Sequence, residues 1–224
     1  MKIADFDAKL AAMIDHTLLK PEAQEKDVLR LCDEARTYSF ASVCVNPSWV
    51  HLCHDSLRGS AARVCTVIGF PLGSNRSDLK MREAELALQD GAEEFDMVLH
   101  VGRLKQGDIA YVEREIAEVT AVVKSVSDEY IVKVILEICL LTDSEIAAAC
   151  RLVQHAGADF VKTSTGFSTG GATLEAVQLM REVVGQNVGV KASGGIRDRA
   201  AALAMIDAGA NRIGTSSSIA IVST

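Results

Sequence analysis

The sequence predicts a (β/α)8 barrel, and three observations carry that expectation. Short apolar runs alternate with longer helix-like stretches along the whole chain, the mark of βα units and a parallel sheet. The length of 224 residues falls in the roughly 200–250 typical of such barrels as one domain. Glycine-rich loops suited to a phosphate come late, after the seventh and eighth runs, and no GxGxxG follows the first run as an open dinucleotide-binding sheet would require. No composition break or low-complexity tract divides the chain. One barrel domain is therefore expected over 1–224, with a short helix ahead of the first strand.

Strands are expected at Met13–Leu18, Ser42–Val45, Val64–Gly69, Glu94–Leu99, Ile131–Leu136, Asp159–Thr163, Val188–Ala192 and Arg212–Gly214, because each is a short, mostly apolar run. The first is the least apolar, since Asp15 and His16 interrupt it. Helical stretches are expected at Glu22–Tyr38, Asp78–Asp90, Tyr111–Val126, Asp143–His155, Leu174–Val184 and Arg197–Ala208. Gly91, Gly157 and Gly209 each end a helical stretch directly before a strand, where a left-handed residue commonly stops a helix. This shared grammar marks the fourth, sixth and eighth strands as repeats of one unit.

The formal charge of −7 argues against a nucleic-acid partner or adhesion to an anionic membrane. It would also repel a phosphorylated substrate at long range, so a phosphate site must be built locally, most simply from backbone amides at helix N-termini. The six cysteines form no CxxC pair and read as reduced, mostly buried thiols. Without a signal-like N-terminus or an apolar run of about 18–20 residues, a cytoplasmic protein is expected. His51, Cys53 and His54 could be drawn as a metal cluster, but their spacing better suits a solvated helix face, and no metal is expected.

Three lysines interrupt apolar strands: Lys133, Lys162 and Lys191, each 29 residues from the next. One such lysine would reach water at a strand end or pair with a carboxylate. Three at matched positions are expected to converge at one end of the barrel, where such folds keep their active sites. An isolated lysine, with a pKa of about 10.4, is almost wholly protonated at neutral pH. A neighbouring cation and burial both favour the neutral amine, so two adjacent lysines divide into nucleophile and charged neighbour. Residue types alone do not say which is which. Asp96, inside Phe95-Asp96-Met97-Val98, either neutralises a buried lysine or also moves protons. Asp15 either binds a substrate hydroxyl or holds a strand end. Ser193-Gly194-Gly195-Ile196-Arg197 and Gly214-Thr215-Ser216-Ser217 are the two loops suited to a phosphate. Glu137 ends its strand beside the lysines, and Cys44 reads as core packing with a reactive thiol as the lesser option.

These segments together resemble the deoxyribose-phosphate aldolase family over nearly the whole chain. The resemblance runs through Ile14-Asp15-His16-Thr17-Leu18-Leu19-Lys20-Pro21, Val43-Cys44-Val45-Asn46-Pro47 and Val67-Ile68-Gly69-Phe70-Pro71-Leu72-Gly73. It continues in the strand of Asp96, in Val132-Lys133-Val134-Ile135-Leu136-Glu137, in Val161-Lys162-Thr163-Ser164-Thr165-Gly166-Phe167 and in Gly189-Val190-Lys191-Ala192-Ser193-Gly194-Gly195-Ile196-Arg197. It implies a class I aldolase that reversibly cleaves 2-deoxy-D-ribose 5-phosphate to D-glyceraldehyde 3-phosphate and acetaldehyde, without metal or organic cofactor. Lys162 would form the Schiff base. Lys191 would be the neighbouring cation and Asp96 part of the proton relay. Gly166, Gly194, Gly195, Gly214, Ser216 and Ser217 would cradle the phosphate, with Lys133, Asp15 and Thr165 counted among the substrate-binding residues. His100, Ile138 and Phe167 depart from residues common in the family, and the ten residues after Gly214 are too few for a full outer helix. A partner subunit, as in a homodimer, or the N-terminal helix would then cover an exposed face of the barrel. The alternatives are another Schiff-base barrel aldolase and a non-catalytic phosphosugar-binding protein.

Overall fold

Eight parallel strands close on themselves in chain order in the computed structural model, which describes residues 6–223, and the last strand pairs with the first. They are β1 (Ile14–Leu18), β2 (Ser42–Val45), β3 (Arg63–Ile68), β4 (Glu94–Val98), β5 (Ile131–Ile135), β6 (Phe160–Lys162), β7 (Gly189–Ser193) and β8 (Arg212–Thr215). The barrel is the fold that the sequence predicts, and every strand lies within one residue of its expected ends.

The helices are α1 (Ala8–Ala11), α2 (Glu25–Tyr38), α3 (Val50–Ser56), α4 (Ser77–Gln89), α5 (Val101–Lys105), α6 (Ile109–Lys124), α7 (Asp143–His155), α8 (Leu174–Val184), α9 (Arg199–Asp207) and α10 (Ser218–Val222). Local chemistry sets their ends. Thr142 accepts the Glu145 amide while Glu145 accepts the Thr142 amide, a reciprocal cap that starts α7 where expected. Helix α2 begins three residues later than expected, because Pro21-Glu22-Ala23 turns back, with the Ala23 amide on the Lys20 carbonyl. Helix α9 likewise starts at Arg199, where Asp198 accepts the Ala201 amide. Gly91, Gly157 and Gly209 all have positive φ, as the helix-stop grammar requires.

Alternation along each strand sorts side chains between two environments. On β2, Val43 and Val45 join the large core between strands and helices, while Cys44 joins a small inner cluster with Leu19, Cys65 and Val67. Charged side chains of β1, β4, β5, β6, β7 and β8 share the barrel interior with them. Helix α10 spans only five residues, and the N-terminal segment lies against it. The Asp7 amide donates to the Val222 carbonyl at 3.0 Å, and Arg199 holds the Asp7 carboxylate at 2.6 Å.

Candidate active site

Period-two alternation puts Glu94 and Asp96 on the same side of β4, facing into the barrel. Asp96 is wholly buried and sits at the centre of the lysines. One carboxylate oxygen meets Lys133 Nζ at 3.0 Å, and the other meets Lys162 Nζ at 2.7 Å and Lys191 Nζ at 2.6 Å. Because both contact the same oxygen, the amines of Lys162 and Lys191 lie at most about 5.3 Å apart. Lys191 also meets Asp15 at 2.5 Å, and Lys133 meets Glu94 at 2.6 Å. Arg212 completes the network from β8, at 2.9 Å from Asp15 and 3.0 Å from Glu94.

The three lysines do not share one layer. Lys162 and Lys191 are register partners, but the β5 residue level with Lys162 is Ile135; Lys133 pairs with Phe160. Equal spacing in sequence cannot reveal this, because a closed barrel staggers its strands. Lys133 is therefore fully buried one layer down and lines no part of the mouth. Asp15 is buried too, between Ser42, Arg212 and Lys191. Both are buried inside the barrel and neither lines its mouth. Asp15 holds the floor of the barrel together.

Charge decides the roles around Asp96. Burial alone would push its carboxyl up, but Lys133, Lys162 and Lys191 outweigh burial and hold it well below the usual carboxylate range. Burial pushes the Lys191 ammonium down, yet Asp15 and Asp96 keep it above the ordinary lysine range. Lys133 is held high in the same way, chiefly by Asp96, Cys65 and Glu94. Both are fixed cations. Four cations, Lys133, Lys162, Lys191 and Arg212, thus face three carboxylates, Asp15, Glu94 and Asp96. Basic side chains outnumber carboxylates in this network by one.

Lys162 also differs in access. It is the one lysine of the network that lines a cavity of about 380 Å3 at the C-terminal ends of the strands. Loops after β1, β6, β7 and β8 build this cavity. Thr165, Gly166, Gly194, Gly195, Gly214 and Ser216 all line it. Ser217 does not; its amide is tied to Thr215 Oγ1 at 3.0 Å. Gly194 needs its positive φ of 88°, and a Cβ there would stand 2.9 Å from the Gly171 backbone. At Gly214 a Cβ would sit 3.0 Å from Lys191 Cε, so this glycine makes room for the lysine stem. Asp198 accepts the Ala201 amide and so fills the start of α9 itself, leaving loop amides, hydroxyls and the basic Lys20 and Arg197 around the cavity.

Glu137 lies away from the lysines and accepts the amide and hydroxyl of Thr165, fixing the β6 loop. Of the family departures, Phe167 lines the cavity and packs edge-on against Phe70, with ring centroids 5.2 Å apart. His100 caps α5 by accepting the Arg103 amide, and Ile138 is buried in a turn; neither reaches the cavity. Cys44, Cys65 and Asp96 place donor atoms within 4.8 Å of one another. That set is poor for a cation, because lysines occupy both Asp96 oxygens and Lys133 Nζ lies 3.5 Å from Cys65 Sγ. His51 is exposed and paired with Asp55, whereas Cys53 is buried, so no ligand cluster forms on α3.

Sequence reading missed Glu94, Arg212, Lys20 and Arg197. Glu94 carried a signal, standing two residues before Asp96. Arg212 stands two before Gly214, but its partners lie on other strands. Lys20 and Arg197 both line the cavity as basic residues just past strand ends.

An amine, a fixed cation and a carboxylate meeting under a barrel-mouth cavity are the parts an imine-forming aldolase needs. The chain belongs to the DeoC/LacD family of aldolases, whose profile matches residues 9–223. It is 58% identical over 214 residues to a deoxyribose-phosphate aldolase of Streptococcus sanguinis, covering 96% of each chain. It is 56% identical over 213 residues to one from Caldanaerobacter subterraneus subsp. tengcongensis, covering 95% of this chain and 92% of the relative. The tetrameric deoxyribose phosphate aldolase from Aeropyrum pernix superposes with a TM-score of 0.89 at 37% identity, covering 96% of this chain and 90% of that one.

Proposed function

We propose that this aldolase reversibly cleaves 2-deoxy-D-ribose 5-phosphate to D-glyceraldehyde 3-phosphate and acetaldehyde through an imine on Lys162. The observation that carries the reading is that Lys162 alone in the buried charge network opens onto the cavity. Neutral Lys162 attacks the aldehyde carbon of the open-chain sugar, and loss of water leaves an iminium that accepts electrons. The Asp96–Lys191 pair, through a water, takes the proton of the 3-hydroxyl. The C2–C3 bond then breaks, glyceraldehyde 3-phosphate leaves, and an enamine remains on Lys162. Protonation at carbon and hydrolysis release acetaldehyde and restore the amine. Residues Gly166, Gly194, Gly195, Gly214 and Ser216 hold the phosphate, with Lys20 and Arg197 supplying positive charge at the rim. Thr165 lies between lysine and loop. Binding energy at the phosphate, remote from the bond that breaks, orients the reacting carbons.

Self-association, expected from the sequence as a dimer, has a parallel in the A. pernix tetramer. The test of the reaction is direct. Incubation with 2-deoxyribose 5-phosphate should release acetaldehyde and glyceraldehyde 3-phosphate in equal amounts, and the two products should recondense. Preferred cleavage of another phosphorylated sugar would move the chain to a different substrate. Binding without any cleavage would leave only the scaffold reading.

A further inference from the structure

We propose that His16 is a positioning residue for the two loops that receive the phosphate, acting through Ser218 and never touching substrate. This rests on the phosphate reading above. His16 lies on β1 beside Asp15 but points the other way, away from the charge network. It is buried against Phe40, with ring centroids 5.0 Å apart, and is the register partner of Thr215 on β8. The imine chemistry makes no use of it. A purely space-filling role would be served by an apolar side chain without the cost of burying a polar ring. Yet both ring nitrogens are engaged: Nε2 with Glu34 at 2.7 Å and Nδ1 with the hydroxyl of fully buried Ser218 at 2.8 Å.

Proton accounting fixes the direction of these bonds. Burial pushes the ring's pKa below its ordinary value even though Glu34 opposes it, so the ring is neutral and carries one N–H. A Glu34 carboxylate can only accept, so the proton sits on Nε2. Nδ1 then accepts from the Ser218 hydroxyl. The groups facing this site from α2 and the β1 loop are Lys20, Glu22, Asp27, Arg30 and Glu34.

Ser218 stands two residues past Ser216, at the start of α10. Its Oγ also lies 3.2 Å from the Thr215 carbonyl. Thr215 in turn joins the loops: its hydroxyl donates to the Ile196 carbonyl at 2.7 Å and accepts the Ser217 amide at 3.0 Å. Ile196 lies between Gly195 and Arg197 of the other loop. Glu34, His16 and Ser218 thus form one hydrogen-bonded line from helix α2 to the first turn of α10. With its single proton given to Nδ1, Ser218 does not also donate to Thr215. It reaches the two phosphate loops through the short stretch of chain back to Ser217 and Thr215.

The experiment compares steady-state kinetics with 2-deoxyribose 5-phosphate and unphosphorylated 2-deoxyribose, together with inhibition by inorganic phosphate. Ser218→Ala and His16→Phe should each raise KM for the phosphorylated sugar, and the inhibition constant of phosphate, by about two- to tenfold, the worth of one hydrogen bond. Turnover of the unphosphorylated sugar should not change. His16→Asn, whose side-chain oxygen can take the place of Nδ1, should restore most of the affinity. Equal losses on both sugars, or unchanged KM and phosphate inhibition in Ser218→Ala, overturn the proposal. A wild-type protein that does not favour the phosphorylated sugar overturns the phosphate reading itself, and His16's role with it. The two failures are thus told apart by the wild type alone.

Discussion

A lysine becomes a nucleophile only by giving up a proton, and the three lysines around Asp96 differ in how many carboxylates hold them. Lys133 and Lys191 are each held by two or more carboxylates, while Lys162 shares only an oxygen already claimed by Lys191. Taking Lys191 away removes the cation that shares the Asp96 oxygen with Lys162. Lys191→Leu should therefore move the activity optimum to higher pH, because more base is needed to free the amine. The check is a pH–rate profile on a variant whose circular dichroism matches the wild type. An unmoved optimum would remove the charged-neighbour role from Lys191.

At the scale of elements, the outer layer carries its own buried charge pair. Lys80 on α4 and Glu115 on α6 meet at 2.8 Å with both side chains buried, and Lys80 also donates to the Val98 carbonyl at the end of the strand bearing Asp96. Burial lowers the Lys80 pKa and raises that of Glu115, so desolvation works against this pair. Lys80→Met alone should cost about 3–5 kcal/mol, because it leaves Glu115 buried without a partner. Lys80→Met combined with Glu115→Leu should recover most of that, read as urea midpoints in a double-mutant cycle; equal losses in both proteins would contradict it. Neither partner was legible in the sequence, since each sits in an ordinary helical pattern and only packing brings them together. The strands were legible because buried parallel strands are nearly continuous apolar runs. Helices α3, α5 and α10 were not, because five to seven residues are too few to display a helical period. Lys162, Lys191 and Asp96 stood out as charges inside apolar runs. The depth of Lys133 did not, because the stagger of strands is a property of the closed barrel.

For the molecule as a whole, the buried network links catalysis to acid stability. Asp15 and Asp96 are both held below the usual carboxylate range by their cations. Each contributes stability that is fully present above the unfolded pKa, about 3.9, and is lost as pH falls through the lower folded value. The stability gap between wild type and Asp96→Asn should thus stay level from about pH 8 to 5 and shrink only in more acidic solution. Denaturant unfolding across that range measures it, and a gap already closing between about pH 7 and 5 would contradict the charge assignment. The outer surface adds little to this argument. Among the described residues, no helix is long and apolar enough to cross a membrane.

The most direct measurement is covalent. Reduction with borohydride in the presence of acetaldehyde, followed by peptide mass mapping, should leave a reduced two-carbon adduct on Lys162, absent from Lys162→Met. An adduct on Lys191 or Lys133 instead, or none on a folded and active protein, would contradict the account of how this barrel makes its nucleophile.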